Sequence, residues 1–147
     1  MDPTKIEIIR VDRDAEYEVM FEIRRIVFQE EQAVPEEIEV ADDHVAHHYL
    51  ALYEGVPVGT ARWRITLFGK VKLERFAVLQ DYRGKGLGTA LVQAVLRDVP
   101  RTLPVYLNAQ MEAVPFYEQL GFQREGETFW EAEIEHQRMK WVYEASA

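Results

Sequence analysis

The chain has 147 residues, a formal net charge of −9, 48% apolar and 29% charged side chains, and no cysteine. These values fit a single globular domain over 1–147, and no apolar run approaches the roughly 18 residues needed to cross a bilayer. Disulfides, thiolate catalysis and cysteine-based metal centres are excluded, while the acidic surface is expected to repel nucleic acid and anionic lipid, so any bound anion needs a local site.

The opening stretch, MDPTKIEIIRVDRD, lacks the cationic start and small-residue cleavage site of a secretory signal, which favours the cytoplasm. Residues 5–12 alternate apolar and polar side chains and predict a first strand. Asp12 or Asp14 is placed to cap a helix carrying Val19, Met20, Ile23, Ile26 and Val27 at three- and four-residue spacing. Residues 30–44 have no clean period, and Pro35 disfavours helical geometry at Val34, so a loop or short irregular segment is expected. Two strands around the turn EGVP fill 47–65, and a turn at Gly69 leads into another strand. Leu87, Leu91, Ala94 and Val95 lie on one face of a helix from about Leu87 to Asp98. PVYLNA reads as a short buried strand, EAVPFYEQL as a short helix ended by Gly121, and WEAEIEHQRMKWVYE as the last strand or strands. The fold class is therefore α+β, an α/β sandwich whose mostly antiparallel sheet gains a parallel pair where the 87–98 helix crosses between strands.

Residues 79–88, LQDYRGKGLG, set Gly84, Gly86 and Gly88 beside Arg83 and Lys85 at the start of that helix. Backbone amides at a helix start are unpaired and attract anions, and glycines let a phosphate approach them. A Walker loop requires Gly-Lys-Ser/Thr, whereas Lys85 is followed by Gly86; a dinucleotide fingerprint requires G-x-G-x-x-G, whereas the spacing here is G-x-G-x-G. Both are excluded, which leaves a phosphate cradle of another kind or a plain glycine-rich turn.

In its wider context, LERFAVLQDYRGKGLGTALVQAVL resembles the GCN5-related N-acetyltransferase (GNAT) superfamily, whose signature of Arg or Gln, two residues, Gly, one residue, Gly or Ala is met by Arg83, Gly86 and Gly88. LNAQMEAVPFYEQLGF (107–122) resembles the family's later strand–helix–turn unit, and VFQEEQAVPEEIE and GTARWRI are similar to its small bacterial ElaA/YjcF-like branch. The resemblance implies a GNAT-like fold, acetyl-CoA as cosubstrate without metal, and direct acetyl transfer to a primary amine of a small molecule or peptide. The alternative is a non-catalytic acyl-CoA-binding or regulatory module of the same fold. By the same resemblance Phe76, Ala77 and Val78 offer backbone to the pantetheine, and Arg83, Gly84, Lys85, Gly86, Leu87, Gly88 and Thr89 hold the pyrophosphate. Asn108 lies against the coenzyme, Tyr117 points its hydroxyl at the sulfur to steady and protonate the leaving thiolate, and a homodimer is a family-level expectation.

The base is harder to read. Glu74 shares the alternating face of Phe76 and Val78 if no bulge intervenes in its strand, and from there it would deprotonate the amine. Glu30, Glu31, Glu36, Glu37, Asp42 and Asp43 either border an acceptor pocket or form a solvated acidic loop. Arg62 and Arg64, and likewise Arg24, either bind an acceptor anion or pair with that acidic segment. His47 and His48 point to opposite faces of a strand, against a shared metal, and His136 carries no assigned role.

Overall fold

A computed structural model describes residues 5–35 and 41–142. Eight strands form one mixed sheet with the order β1-β2-β3-β4-β5-β8-β6, and β7 adds to β8. The strands are β1 (Ile6–Arg10), β2 (His47–Tyr53), β3 (Val56–Ile65), β4 (Val71–Val78), β5 (Val105–Gln110), β6 (Phe122–Arg124), β7 (Phe129–Glu131) and β8 (Ile134–Trp141). The helices are α1 (Asp14–Arg24), α2 (Leu87–Asp98) and α3 (Val114–Gln119), and a π-helical segment, Arg25–Glu31, continues α1. By contact density the chain forms two compact units, one reaching to Arg64 and including Arg75–Val99, the other holding Ile65–Glu74 and the residues from Pro100 onward.

In the first unit the chain turns from β2 to β3 through Glu54 and Gly55, both left-handed with φ of 50° and 83°, the geometry of a tight hairpin. Side-chain alternation then sends Leu50 to one face and Tyr49 to the other. Leu50 packs with Val11, Met20 and Ile23, which places α1 on that face. Tyr49 donates its hydroxyl to Asp98 of α2 at 2.7 Å and receives the Trp63 indole N–H at 2.9 Å, which places α2 on the opposite face. Burial and the neighbouring Asp98 carboxylate push the Tyr49 phenol up to about 12, so this buried link stays protonated. Gly59 in β3 sits at a close approach: a Cβ there would lie 3.1 Å from the Ala77 carbonyl oxygen and 3.2 Å from the Ala51 Cβ, so its neighbours would have to give by a few tenths of an ångström.

The cap of α1 differs from expectation. Neither Asp12 nor Asp14 holds the N-cap position, which falls to Arg13; Glu16 reaches back and accepts the amides of both Asp12 and Arg13 at 3.1 Å. A carboxylate at the third helical position thus satisfies amides ahead of the helix, the reverse half of a capping box, where a carboxylate at the cap would take those of the first turn.

In the second unit β8 is the central strand, antiparallel to β5 on one side and to β6 and β7 on the other. Val105, Leu107 and Ala109 of β5 alternate inward with Met139 of β8, Val114, Tyr117 and Phe122 to form its buried core. Gln137, buried, donates to the carbonyls of Glu125 and Gly126 and so fixes the connection from β6 to β7. β6 escapes a reading of the sequence because it has three residues, of which only Phe122 is buried. The parallel ladder between β4 and β5 covers only Val71–Leu73 against Val105–Leu107. It stops just before Arg75, whose φ of 59° is outside the strand range and marks a bulge.

Candidate active site

The glycine segment is built from the end of β4 upward. Beyond Val78 a single 3-10 turn, Gln80–Tyr82, folds the chain back, and Arg83 Nε then donates to the Val78 carbonyl at 2.9 Å. That bond gives the five-residue spacing between Val78 and Arg83 a physical cause. Gly84 and Gly86 follow with φ of 79° and 89°, a region that costs an L-residue about 1 kcal/mol or more, so the path needs glycine at both positions. α2 starts at Leu87 with no side chain capping it, and its first intrahelical bond runs from the Ala90 amide to the Gly86 carbonyl. The amides of Leu87, Gly88 and Thr89 are therefore left without helical acceptors at the positive end of a twelve-residue helix. Lys85 carries its ammonium 5.4 Å from the Tyr53 ring centroid, and Tyr82 meets the same ring edge-on. An open groove of about 710 Å³ begins at Gly86 and Thr89, lined further by Ile6 and Ile8 of β1 and by Gln93 and Arg97 of α2.

Phe76, Ala77 and Val78 form the end of β4 in the same unit, with Ala77 buried against Val27 and Phe28 of the π-helical segment. Glu74 lies before the bulge. Its carboxylate is 3.1 Å from the Lys72 ammonium, two residues back on the same strand face, and the residue is 8% exposed. Alternation does not run through Arg75, so the shared face expected for Glu74, Phe76 and Val78 is interrupted there.

In the second unit Asn108 is half-buried on the face of β5 opposite to Leu107, paired in register with Arg138. Tyr117 is buried in α3, with Phe116 and Phe122 edge-on to its ring at 5.0 and 5.7 Å. Burial pushes its phenol well above the ordinary tyrosine value and keeps it protonated at neutral pH. His136 is tied to the Ile134 carbonyl at 2.7 Å and stacks on Phe129.

The charged residues of uncertain role resolve into ion pairs. Asp43 accepts Arg24 at 2.8 and 3.1 Å and Arg62 at 2.6 Å, and both arginines are 1% exposed. Asp42 pairs with Arg64, Glu30 with Arg25, and Glu31 with Arg83. Glu36 and Glu37 lie outside the described residues. The described carboxylates of the acidic stretch thus pair with arginines, which is the plainer expectation for Arg24, Arg62 and Arg64. His47 stacks on Trp63 while His48, on the other face, binds the Asp43 carbonyl through Nε2; burial holds the His48 pKa below its usual value. No cluster of three or more metal-ligating side chains occurs among the described residues. Sequence reasoning missed Glu31 as a partner of Arg83 and Lys72 as a partner of Glu74; the first was visible only as one carboxylate in an acidic run.

A family model described as an acetyltransferase (GNAT) domain matches residues 13–143, most of the chain. The chain belongs to the GNAT acetyltransferases. It is 37% identical over 123 residues to the uncharacterized N-acetyltransferase YjcF of Bacillus subtilis (strain 168), covering 81% of this chain and 87% of that one. An acyl-CoA N-acyltransferase from Pseudomonas aeruginosa has a TM-score of 0.80 at 26% identity, covering 93% of this chain and 99% of that one. Escherichia coli ElaA has a TM-score of 0.79 at 24% identity with the same coverage, a likeness of fold. The GNAT fold expected from the sequence is therefore present, and this GNAT protein is an N-acetyltransferase whose acetyl donor is acetyl-CoA. Among the described residues no helix is long and apolar enough to cross a membrane.

Proposed function

We propose that this acetyltransferase passes the acetyl group directly to a primary amine, with its own residues dividing the work as follows. The amides of Leu87, Gly88 and Thr89, with Arg83, Gly84, Lys85 and Gly86, bind the pyrophosphate of the coenzyme. Backbone groups of Phe76, Ala77 and Val78 hydrogen-bond the pantetheine, and the Val78 amide polarises the thioester carbonyl and steadies the oxyanion that the amine's attack creates. Asn108 lies against the coenzyme. Glu74 takes the proton from the ammonium form of the acceptor, and Tyr117 donates a hydrogen bond to the departing thiolate. The observation that carries this reading is the start of α2: an uncapped helix N-terminus entered through two left-handed glycines, with two cations in the same loop.

Purified protein given acetyl-CoA and a panel of small amines, polyamines and peptides tests it by release of free thiol. Acceptor-dependent release is the expected result. Tight coenzyme binding with no release across the panel would instead support a non-catalytic acyl-CoA-binding module. Once an acceptor is found, Glu74→Gln should lower kcat by about 100-fold and remove the acidic limb of the kcat/KM profile. An unchanged limb would assign the base elsewhere.

A further inference from the structure

Arg83 makes three hydrogen bonds to described residues, all from one edge of its guanidinium. Nε donates to the Val78 carbonyl at 2.9 Å, and the adjacent terminal nitrogen donates to both oxygens of Glu31, at 3.0 and 2.8 Å. The other terminal nitrogen takes no part in these bonds, and the side chain is 44% exposed. An arginine on a surface loop ordinarily samples many rotamers and loses that freedom when it binds an anion. Here the loss is taken beforehand, because a carboxylate and a carbonyl hold one edge while the opposite edge stays available.

Glu31 owes its place to the local backbone. The last turn before it is π-helical, with i→i+5 bonding that takes one more residue per turn than an α-helix. Val27 and Phe28 in that segment are buried against Ala77, and Leu79 and Val34 pack around them. The segment is therefore docked on the end of β4 by apolar contacts, and Glu31 leaves it where Arg83 leaves the loop. π-helical turns are rare and concentrate at functional sites.

We infer that Glu31 is a positioning residue of the coenzyme site: it fixes the Arg83 guanidinium, and through the Arg83 bond to the Val78 carbonyl it sets the end of β4 for the coenzyme. This rests on the assignment of 83–89 to the pyrophosphate. Glu31 does not touch the coenzyme and acts through Arg83 alone.

A double-mutant cycle read by calorimetric titration with CoA tests the inference. Glu31→Ala should weaken CoA binding about tenfold, and Glu31→Gln, which keeps an acceptor without the charge, by about threefold. In the Arg83→Ala background the Glu31→Ala change should cost less than about twofold more, because its only route of action is gone. Thermal midpoints of all variants serve as the control for folding, and a structural role for Glu31 would persist without Arg83. CoA binding in Glu31→Ala as tight as in the parent, or tighter, would overturn the inference, since Glu31 would then be a bystander or a competitor for Arg83. Losses that add fully would overturn it as well. Arg83→Ala binding CoA like the parent would take Arg83 out of the pyrophosphate site and overturn the inference with it, whereas loss of the pyrophosphate assignment as a whole would be read separately, from unchanged CoA affinity in Gly88→Glu.

Discussion

Gly88→Glu should fold at least as well as the parent protein and lose CoA binding by at least about 100-fold, roughly 3 kcal/mol or more. The two halves of this expectation have opposite signs for a reason. Gly88 is the second residue of α2, where a carboxylate interacts favourably with the helix dipole, worth about 0.3–1 kcal/mol, and where glycine is a poor helix former. By helix energetics alone the substitution is neutral or stabilising. Yet it places a fixed anion beside the amides of Leu87, Gly88 and Thr89, where the pyrophosphate is proposed to bind. Gly86→Glu makes a less clean comparison, because Gly86 has φ of 89° and any side chain there adds backbone strain to the electrostatic effect. Calorimetric titration with CoA and a thermal melt separate the two contributions. Unchanged CoA affinity in a well-folded Gly88→Glu protein would remove the helix start from the coenzyme site.

Much of the fold was legible because local chemistry and tertiary packing agree. The helix read over 87–98 forms at those residues, since Leu87, Leu91, Ala94 and Val95 supply an apolar stripe that the sheet buries. The strands of the meander follow from alternation and from Glu54-Gly55 and Gly69, whose left-handed backbone suits tight turns. What escaped the sequence depends on geometry that no period encodes. The bulge at Arg75 adopts a positive φ on a residue type that gives no hint of it, and so the face of Glu74 was open to either reading. The π-helical turn at Arg25–Glu31 carries apolar residues compatible with an α-helix, so neither its bonding nor the aim of Glu31 could be foreseen.

The same distinction governs the acidic stretch. A run of carboxylates near a presumed acceptor site invites a cation-attracting reading, but charge counts do not say which arginines from distant strands come to meet them. Asp43 and Arg62 are 19 residues apart, Glu31 and Arg83 are 52 apart, and each pair forms only when β3 or the loop after β4 is in place. Surface pairs of this kind contribute little stability individually. The half-buried Asp43 with Arg24 and Arg62 is different, because guanidiniums 1% exposed need their carboxylate, and it joins α1 to β3.

Tyr117→Phe should lower kcat by at least about 100-fold while leaving KM for acetyl-CoA within about twofold. Phenylalanine keeps the ring that packs against Phe116 and Phe122, and a thermal melt separates any change in folding from the loss of the hydroxyl in catalysis. The proposed role is donation to a thiolate that exists only as the thioester bond breaks, so the missing interaction belongs to the transition state and appears in kcat rather than in coenzyme affinity. The raised phenol pKa sharpens the expectation. A thiol ionises near 8.5 and a free phenol near 10, so full proton transfer from Tyr117 to the thiolate is uphill, and more so once burial raises the phenol further. A hydrogen bond that stabilises the leaving thiolate is the consistent form of the role, with the proton retained by the phenol at neutral pH. Tyr117 should then contribute no alkaline limb to the kcat profile below about pH 10. Turnover in Tyr117→Phe close to that of the parent would assign Tyr117 to the core alone, and an alkaline limb near pH 8 that vanishes in the variant would show a phenol that ionises far more readily than its buried setting allows.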